Sequence, residues 1–321
     1  DSLIFLDEAH CSNPFRQTLG AVSSYLDSET PRGKLRWSRQ RVGRGFSFVE
    51  MTATPPSGVE SSQVLKLTQE DYRGDPLLDQ RHACRKPIRL VVSAAKGGKQ
   101  NEHLARDLVR EAEGLAKPID SEATCFRVAI VVNRVACARE AFDRLRAKYG
   151  QRVELMIGRM RPHDRDRLTA VLQRRYGSGS QDRVDEPHFL VATQCIEVGA
   201  DLDFDGMVTQ CASLDSLRQR FGRLNRLGQF PGARGVVVMA EGDVAPRQPD
   251  PIYGSSLPAT WDRLKSWAVD DVVDFGVKAL QERIDEANAG NAGRSQGLSA
   301  PVPDAPVRNR SRPGATISLG R

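Results

Sequence analysis

Nowhere in these 321 residues is there a run of about 18 apolar ones, the length a helix needs to cross a bilayer. No basic-then-apolar leader opens the chain either, and the first residue is Asp1 rather than Met, which reads as the interior of a longer protein. Paired cysteines are absent as well. Cys11, Cys84, Cys125, Cys137, Cys195 and Cys211 form no Cys-x-x-Cys, and the five histidines show no metal-ligand spacing. Neither a disulfide frame nor a zinc site is expected, and the chain reads as cytoplasmic with no membrane partner. A Gly-x-x-x-x-Gly-Lys-Ser/Thr loop is also missing, since Gly33-Lys34 runs into Leu35 and Gly98-Lys99 into Gln100.

What is present is basic. The net charge is +6, and 38 of the 47 Lys and Arg residues are Arg. A guanidinium pairs with phosphate through a planar fork, so nucleic acid is a reasonable partner. An Arg-rich composition can also follow from genome base content, so charge alone decides little.

Along the chain, short apolar runs alternate with helical patterns. Ser2–Leu6 reads as a buried strand, followed by a helix opened by Pro14 and a strand at 45–51. Residues 57–86 read as a connector with weak pattern. Strands are then expected at 88–92, 127–132, 153–157, 189–192, 207–209 and 236–239. Helices are expected at 102–115, 134–149, 162–176 and 214–226. Such alternation predicts parallel sheets covered by helices. Beyond them, a helix capped by Thr260 and a second helical stretch to Ile284 precede a tail rich in Gly, Pro, Ser and Asn, which composition marks as disordered.

Four motifs carry chemistry. Asp7-Glu8-Ala9-His10 closes the first strand, where adjacent carboxylates suit Mg²⁺ and a hydrolytic water. Thr52-Ala53-Thr54 closes the next strand. Thr193 and Gln194 sit just past a strand in a run that continues through Gly199 and Asp201 to Asp205, placed to meet phosphate oxygens. Last, Gln219-Arg220-Phe221-Gly222-Arg223-Leu224-Asn225-Arg226 sets Arg223 and Arg226 three apart. On a helix they share a face, as guanidinium groups neutralising a transferring phosphate would.

In order, these four resemble motifs II, III, V and VI of DEAH-type superfamily 2 helicases. The stretches "LDEAHCSNPFRQTL", "VATQCIEVGADLDFD" and "SLDSLRQRFGRLNRLG" resemble the CRISPR-associated type I interference helicase in particular. That resemblance implies two RecA-like lobes, the first truncated (1–87, with the linker), the second at 88–245, a helical extension at 246–286 and a tail at 287–321. It implies ATP and Mg²⁺ as cofactors, and single-stranded DNA and an RNA-guided surveillance complex as partners. By position, Asp7 would serve Mg²⁺ through water and Glu8 the catalytic water. His10, Thr52 and Thr54 would couple hydrolysis to movement. Gly199 and Asp201 would approach nucleotide, Thr193 would touch DNA or phosphate, and Gln219, Arg223 and Arg226 would reach the nucleotide. The missing phosphate loop is expected before Asp1.

Two basic stretches are candidates for DNA. Arg36, Trp37, Arg39 and Arg41 lie in an acid-free segment that suits a phosphate backbone and a stacked base, and an exposed insertion would look the same. Arg159 and Arg161 lie in a turn after a strand. Two rival functions stay open: a superfamily 2 helicase acting on RNA or in repair, and a fragment that binds nucleic acid without hydrolysis.

Overall fold

The computed structural model describes residues 2–7, 9, 13–26, 46–51, 67–117, 126–158, 160–180, 186–197, 201–246 and 248–291. Two sheets organise them. In the first, β1 (Ser2–Leu6) pairs in parallel with β2 (Phe46–Glu50), from Ser2 opposite Phe46 to Leu6 opposite Glu50. Between them in sequence runs α1 (Asn13–Leu26), whose Arg16 reaches Glu50 at 3.4 Å.

Residues expected to be patternless then form two short helices, α2 (Gln69–Gly74) and α3 (Pro76–Ala83). Capping rather than apolar periodicity makes them. Thr68 and Asp71 close a reciprocal capping box, and Asp75 accepts from the Leu77 and Leu78 amides ahead of Pro76 at the first helical position.

The second sheet has seven strands: β3 (Pro87–Ser93), β4 (Arg127–Val131), β5 (Val153–Met156), β6 (His188–Ala192), β7 (Gly206–Gln210), β8 (Arg234–Ala240) and β9 (Val272–Asp274). Their order is β5-β6-β4-β7-β8-β3-β9, parallel throughout except for β9, which runs antiparallel to β3. Side chains alternate across it as the pleat requires. Val128, Ile130, Val191, Val208 and Val236 pack with Leu104, Leu108, Ala138 and Leu145 of α4 (Gln100–Leu115) and α5 (Val135–Tyr149). Ala129, Val131, Leu190, Met207 and Val237 face the other way, onto Leu172 and Tyr176 of α6 (Pro162–Tyr176) and Leu217 and Phe221 of α7 (Leu214–Phe221). Burial on both faces explains why these strands are continuously apolar.

The C-terminal region is less separate than expected. After α8 (Glu241–Val244), α9 (Ser256–Trp267) sends Leu257, Trp261 and Leu264 into the same core as α6 and α7. Its helix begins at Ser256 with Pro258 in the first turn, so Thr260 is a buried interior residue and not the cap. A tight turn with Asp270 and Asp271 at positive φ then feeds β9. Finally α10 (Val277–Asn291) extends past Ile284 into the expected tail, and the remainder of that tail lies outside the described residues. Among the described residues, no helix is long and apolar enough to cross a membrane.

Candidate functional site

The carboxyl ends of β4, β6 and β7 converge on Arg220 of α7. This guanidinium is wholly buried. Its Nε donates to Glu197 Oε1 at 2.8 Å. Nη1 donates to Thr209 Oγ1 at 2.8 Å and to the Gln210 carbonyl at 3.0 Å. Nη2 donates to Asn133 Oδ1 at 3.0 Å and to the Tyr253 hydroxyl at 2.9 Å. All five guanidinium donors thus find acceptors, the condition on which so buried an ion pair can persist. Asn133 in turn donates to the Cys211 carbonyl at 2.8 Å and receives the Gln194 amide on its own carbonyl at 3.0 Å. Tyr253 is held by Asp250, which accepts from the Ile252 and Tyr253 amides and pairs with Arg134 at 2.7 Å.

Arg223 and Arg226 do not share a helix face. The helix α7 stops at Phe221, and the chain turns at Gly222. Leu224 is pulled against Phe204, the Phe204 amide donating to Arg223 O at 2.9 Å and the Asn225 amide to Phe204 O at 2.8 Å. Asn225 then takes φ +42°, the left-handed region that Gly and Asn tolerate. Its side chain locks the turn by accepting from the Phe230 amide at 3.0 Å and donating to the Phe230 carbonyl at 2.7 Å. The two arginines therefore end in different places. Arg223 is buried and donates to Glu197 O at 3.1 Å. Arg226 is partly exposed, pairs with Asp201 Oδ1 at 3.1 Å, and has its backbone amide on Asp203 Oδ1 at 2.7 Å. Burial raises the Asp203 carboxyl above its usual range, with the Arg226 amide opposing that shift.

Other expected residues divide three ways. Gln219 is half-buried on α7, next to Arg220 in the chain. Thr193 is buried, its amide donating to Met156 O at 3.1 Å and its hydroxyl 3.5 Å from Cys195 Sγ. Asp7 is exposed at the carboxyl end of β1, and Arg161 is exposed and paired with Asp164 at 2.7 Å. Glu8, His10, Thr52, Thr54, Gly199, Arg36, Trp37, Arg39, Arg41 and Arg159 lie outside the described residues. Arg220, Glu197 and Asn133 were not anticipated. The signal for Arg220 is its place three after Leu217 and beside Phe221, on the apolar face of a helix.

Residues 125–229, which hold this network except Asp250 and Tyr253, match the family model described as CRISPR-associated nuclease/helicase Cas3, C-terminal. The chain is Cas3-like. The CRISPR-associated endonuclease/helicase Cas3 of Escherichia coli K12 is 29% identical over 122 residues, 37% of this chain and 14% of that protein. The Cas3 of Methanothermobacter thermautotrophicus is 32% identical over 126 residues, 39% of this chain and 14% of that one. The alignments thus span only a small share of these Cas3 relatives. The crystal structure titled T. fusca Cas3-ATP superposes on 90% of this Cas3-like chain and 36% of its own, with a TM-score of 0.56 and 19% identity. The T. fusca Cas3-AMPPNP structure gives 0.54 and 21% over 89% of this chain and 36% of its own. At that identity the likeness establishes the fold alone.

Proposed function

We propose that this Cas3-like chain forms part of an ATP-driven motor that moves on single-stranded DNA and unwinds the target of CRISPR interference, recruited by an RNA-guided surveillance complex. The observation that carries this reading is the placing of Arg226 beside Asp201, on a locked turn within the family-matched segment. A partly exposed Arg–carboxylate pair has little net stability, so Arg226 can exchange Asp201 for a phosphate oxygen without cost to the fold.

The residues present suit a magnesium nucleotide. Asp7 is exposed at the carboxyl end of a parallel strand, the edge where nucleotides are held in such sheets. Asp7 would hold the cation through water, Glu8 would align the attacking water, and Gly199, Asp201, Gln219, Arg223 and Arg226 would meet the nucleotide from the second sheet. When bound, ATP supplies the phosphoanhydride whose hydrolysis drives movement. His10, Thr52 and Thr54 would link hydrolysis to movement, and Arg36, Trp37, Arg39, Arg41, Arg159 and Arg161 would track the DNA backbone.

The test is DNA-stimulated ATP turnover of the intact protein. Arg226→Ala should lower it by about 10³-fold or more, the usual contribution of such a finger. Glu8→Gln should keep nucleotide binding and lose turnover. A loss below about threefold in either variant would remove that residue from the mechanism.

A further inference from the structure

The chain arriving from the first sheet meets the arginine turn at three points. Gln80 Nε2 donates to Gly228 O at 3.0 Å. Asn225 Nδ2 donates to Cys84 Sγ at 3.1 Å. Lys86 Nζ donates to the carbonyl of Phe221, the last residue of α7, at 2.9 Å. The approach is close enough to dictate sequence, because Gly228 has φ +71° and a Cβ there would lie 2.9 Å from Gln80 O. The same segment is also held by the end of β9 and the residue that follows it. Asp274 accepts from the Lys86 amide at 2.8 Å and pairs with Arg85 at 3.1 Å, while the Phe275 amide donates to Lys86 O at 2.9 Å.

Lys86 is the costly member. It is 5% exposed, and burying an ammonium carries a large desolvation penalty. The carbonyl end of α7, which favours a cation, and the Asp203 carboxylate offset that penalty. Asp203 is also the group on which the Arg226 amide rests. Lys86 therefore bonds one support of the turn, the helix end, and lies within the field of the other, the Asp203 carboxylate, with almost no exposed surface left to meet a ligand.

We propose that Gln80–Lys86 is a positioning segment: Lys86, aided by Gln80 and Cys84, sets the point from which Arg226 reaches, so that the finger's placement follows the path of the chain between the two sheets. This rests on the reading of Arg226 given above. Lys86 acts through Arg226 and is not itself catalytic.

Two measurements on the intact protein test it. Amide exchange reads the turn directly: in Lys86→Met and in Gln80→Ala, the amides of Leu224, Asn225, Arg226 and Gly228 should exchange at least about tenfold faster, with those of β4 and β6 unchanged. The second is a double-mutant cycle on ATP turnover. Lys86→Met should lower kcat about tenfold with KM within about twofold, and Lys86→Met with Arg226→Ala should be no slower than Arg226→Ala alone. Additive losses would overturn the proposal, because a merely weakened fold adds to any active-site change. Should Arg226→Ala leave turnover intact, the finger reading fails, and exchange alone decides the grip. Unaltered exchange in the turn sinks it. Gln80 is exposed, so Gln80→Ala carries both measurements if Lys86→Met does not fold.

Discussion

Around Arg220 the guanidinium is wholly buried and each donor has a protein acceptor, whereas the Arg226 side chain, one turn and a bend later, is 38% exposed and holds a single carboxylate. Both belong to one motif, and they obey opposite rules. The interior arginine ties three strand ends, a helix and the Tyr253 turn into a frame. The rim arginine is kept loosely paired, on a turn whose backbone is over-determined. Fixing the backbone while leaving the side chain exchangeable lets a charge be delivered accurately without being spent inside the fold.

That contrast can be broken by stability measurements. The largest effect is expected from Arg220→Met, which strands the Glu197 carboxylate and the Asn133 and Thr209 acceptors. Loss of one partner of a buried pair costs about 3–5 kcal/mol. Chemical denaturation should show this, and adding Glu197→Gln should recover part of it. A loss under about 1 kcal/mol would mean the frame is held elsewhere.

Next is Asn225→Ala, which puts a non-Gly, non-Asn residue at φ +42° and deletes both bonds to Phe230. About 1–3 kcal/mol is expected. Asn225→Gly, which keeps the conformational freedom, should lose roughly 1 kcal/mol less, and equal losses would show that backbone strain plays no part.

Lys86 gives a pH signature of intermediate size. Burial pulls its ammonium down to about 8, against the opposing pull of Cys84 and Asp203, with Arg226 adding to the depression and Asp274 opposing it. Below pH 8 the lysine is charged folded or unfolded. Between about 8 and the ordinary lysine value near 10.4 the unfolded chain binds more protons than the folded one, so stability should rise with pH across that window. The rise should be absent in Lys86→Met, and identical pH slopes for the two proteins would refute the assignment.

Smallest of all, Arg226→Ala should change stability by no more than about 1 kcal/mol, as for other exposed pairs. A larger loss would make Arg226 part of the frame and erase the contrast with Arg220.

The order of the motifs pointed to the strand ends of the second sheet but not to the Arg220 network itself, because parallel sheets collect their chemistry at strand ends and the apolar runs marked those ends well. The end of α7 was harder to read. Leu214, Leu217, Phe221 and Leu224 keep helical spacing, so periodicity carries the eye on to Arg226, although Gly222 and Asn225 are the residues that stop a helix. Leu224 is buried against Phe204, a strand-like contact that no local pattern announces. Residues 69–86 were misread for a different reason. Their helices rest on caps and bury no side chain of their own, and Lys86 looks like any surface lysine until the fold closes over it.

The three residues of β9 also fix where the chain tolerates being cut. They lie antiparallel on β3 and cover what would otherwise be the free rim of the sheet. Ending the protein at Ala268 would uncover the outer hydrogen-bonding groups that β9 and its turn meet on Pro87–Leu90, and so leave all seven residues of β3 without an outer neighbour strand. An open rim of that length is a template for pairing with another molecule, so the shortened protein should self-associate rather than merely lose stability. The last strand therefore acts as a seal against aggregation, although it comes after every recognisable motif in the chain.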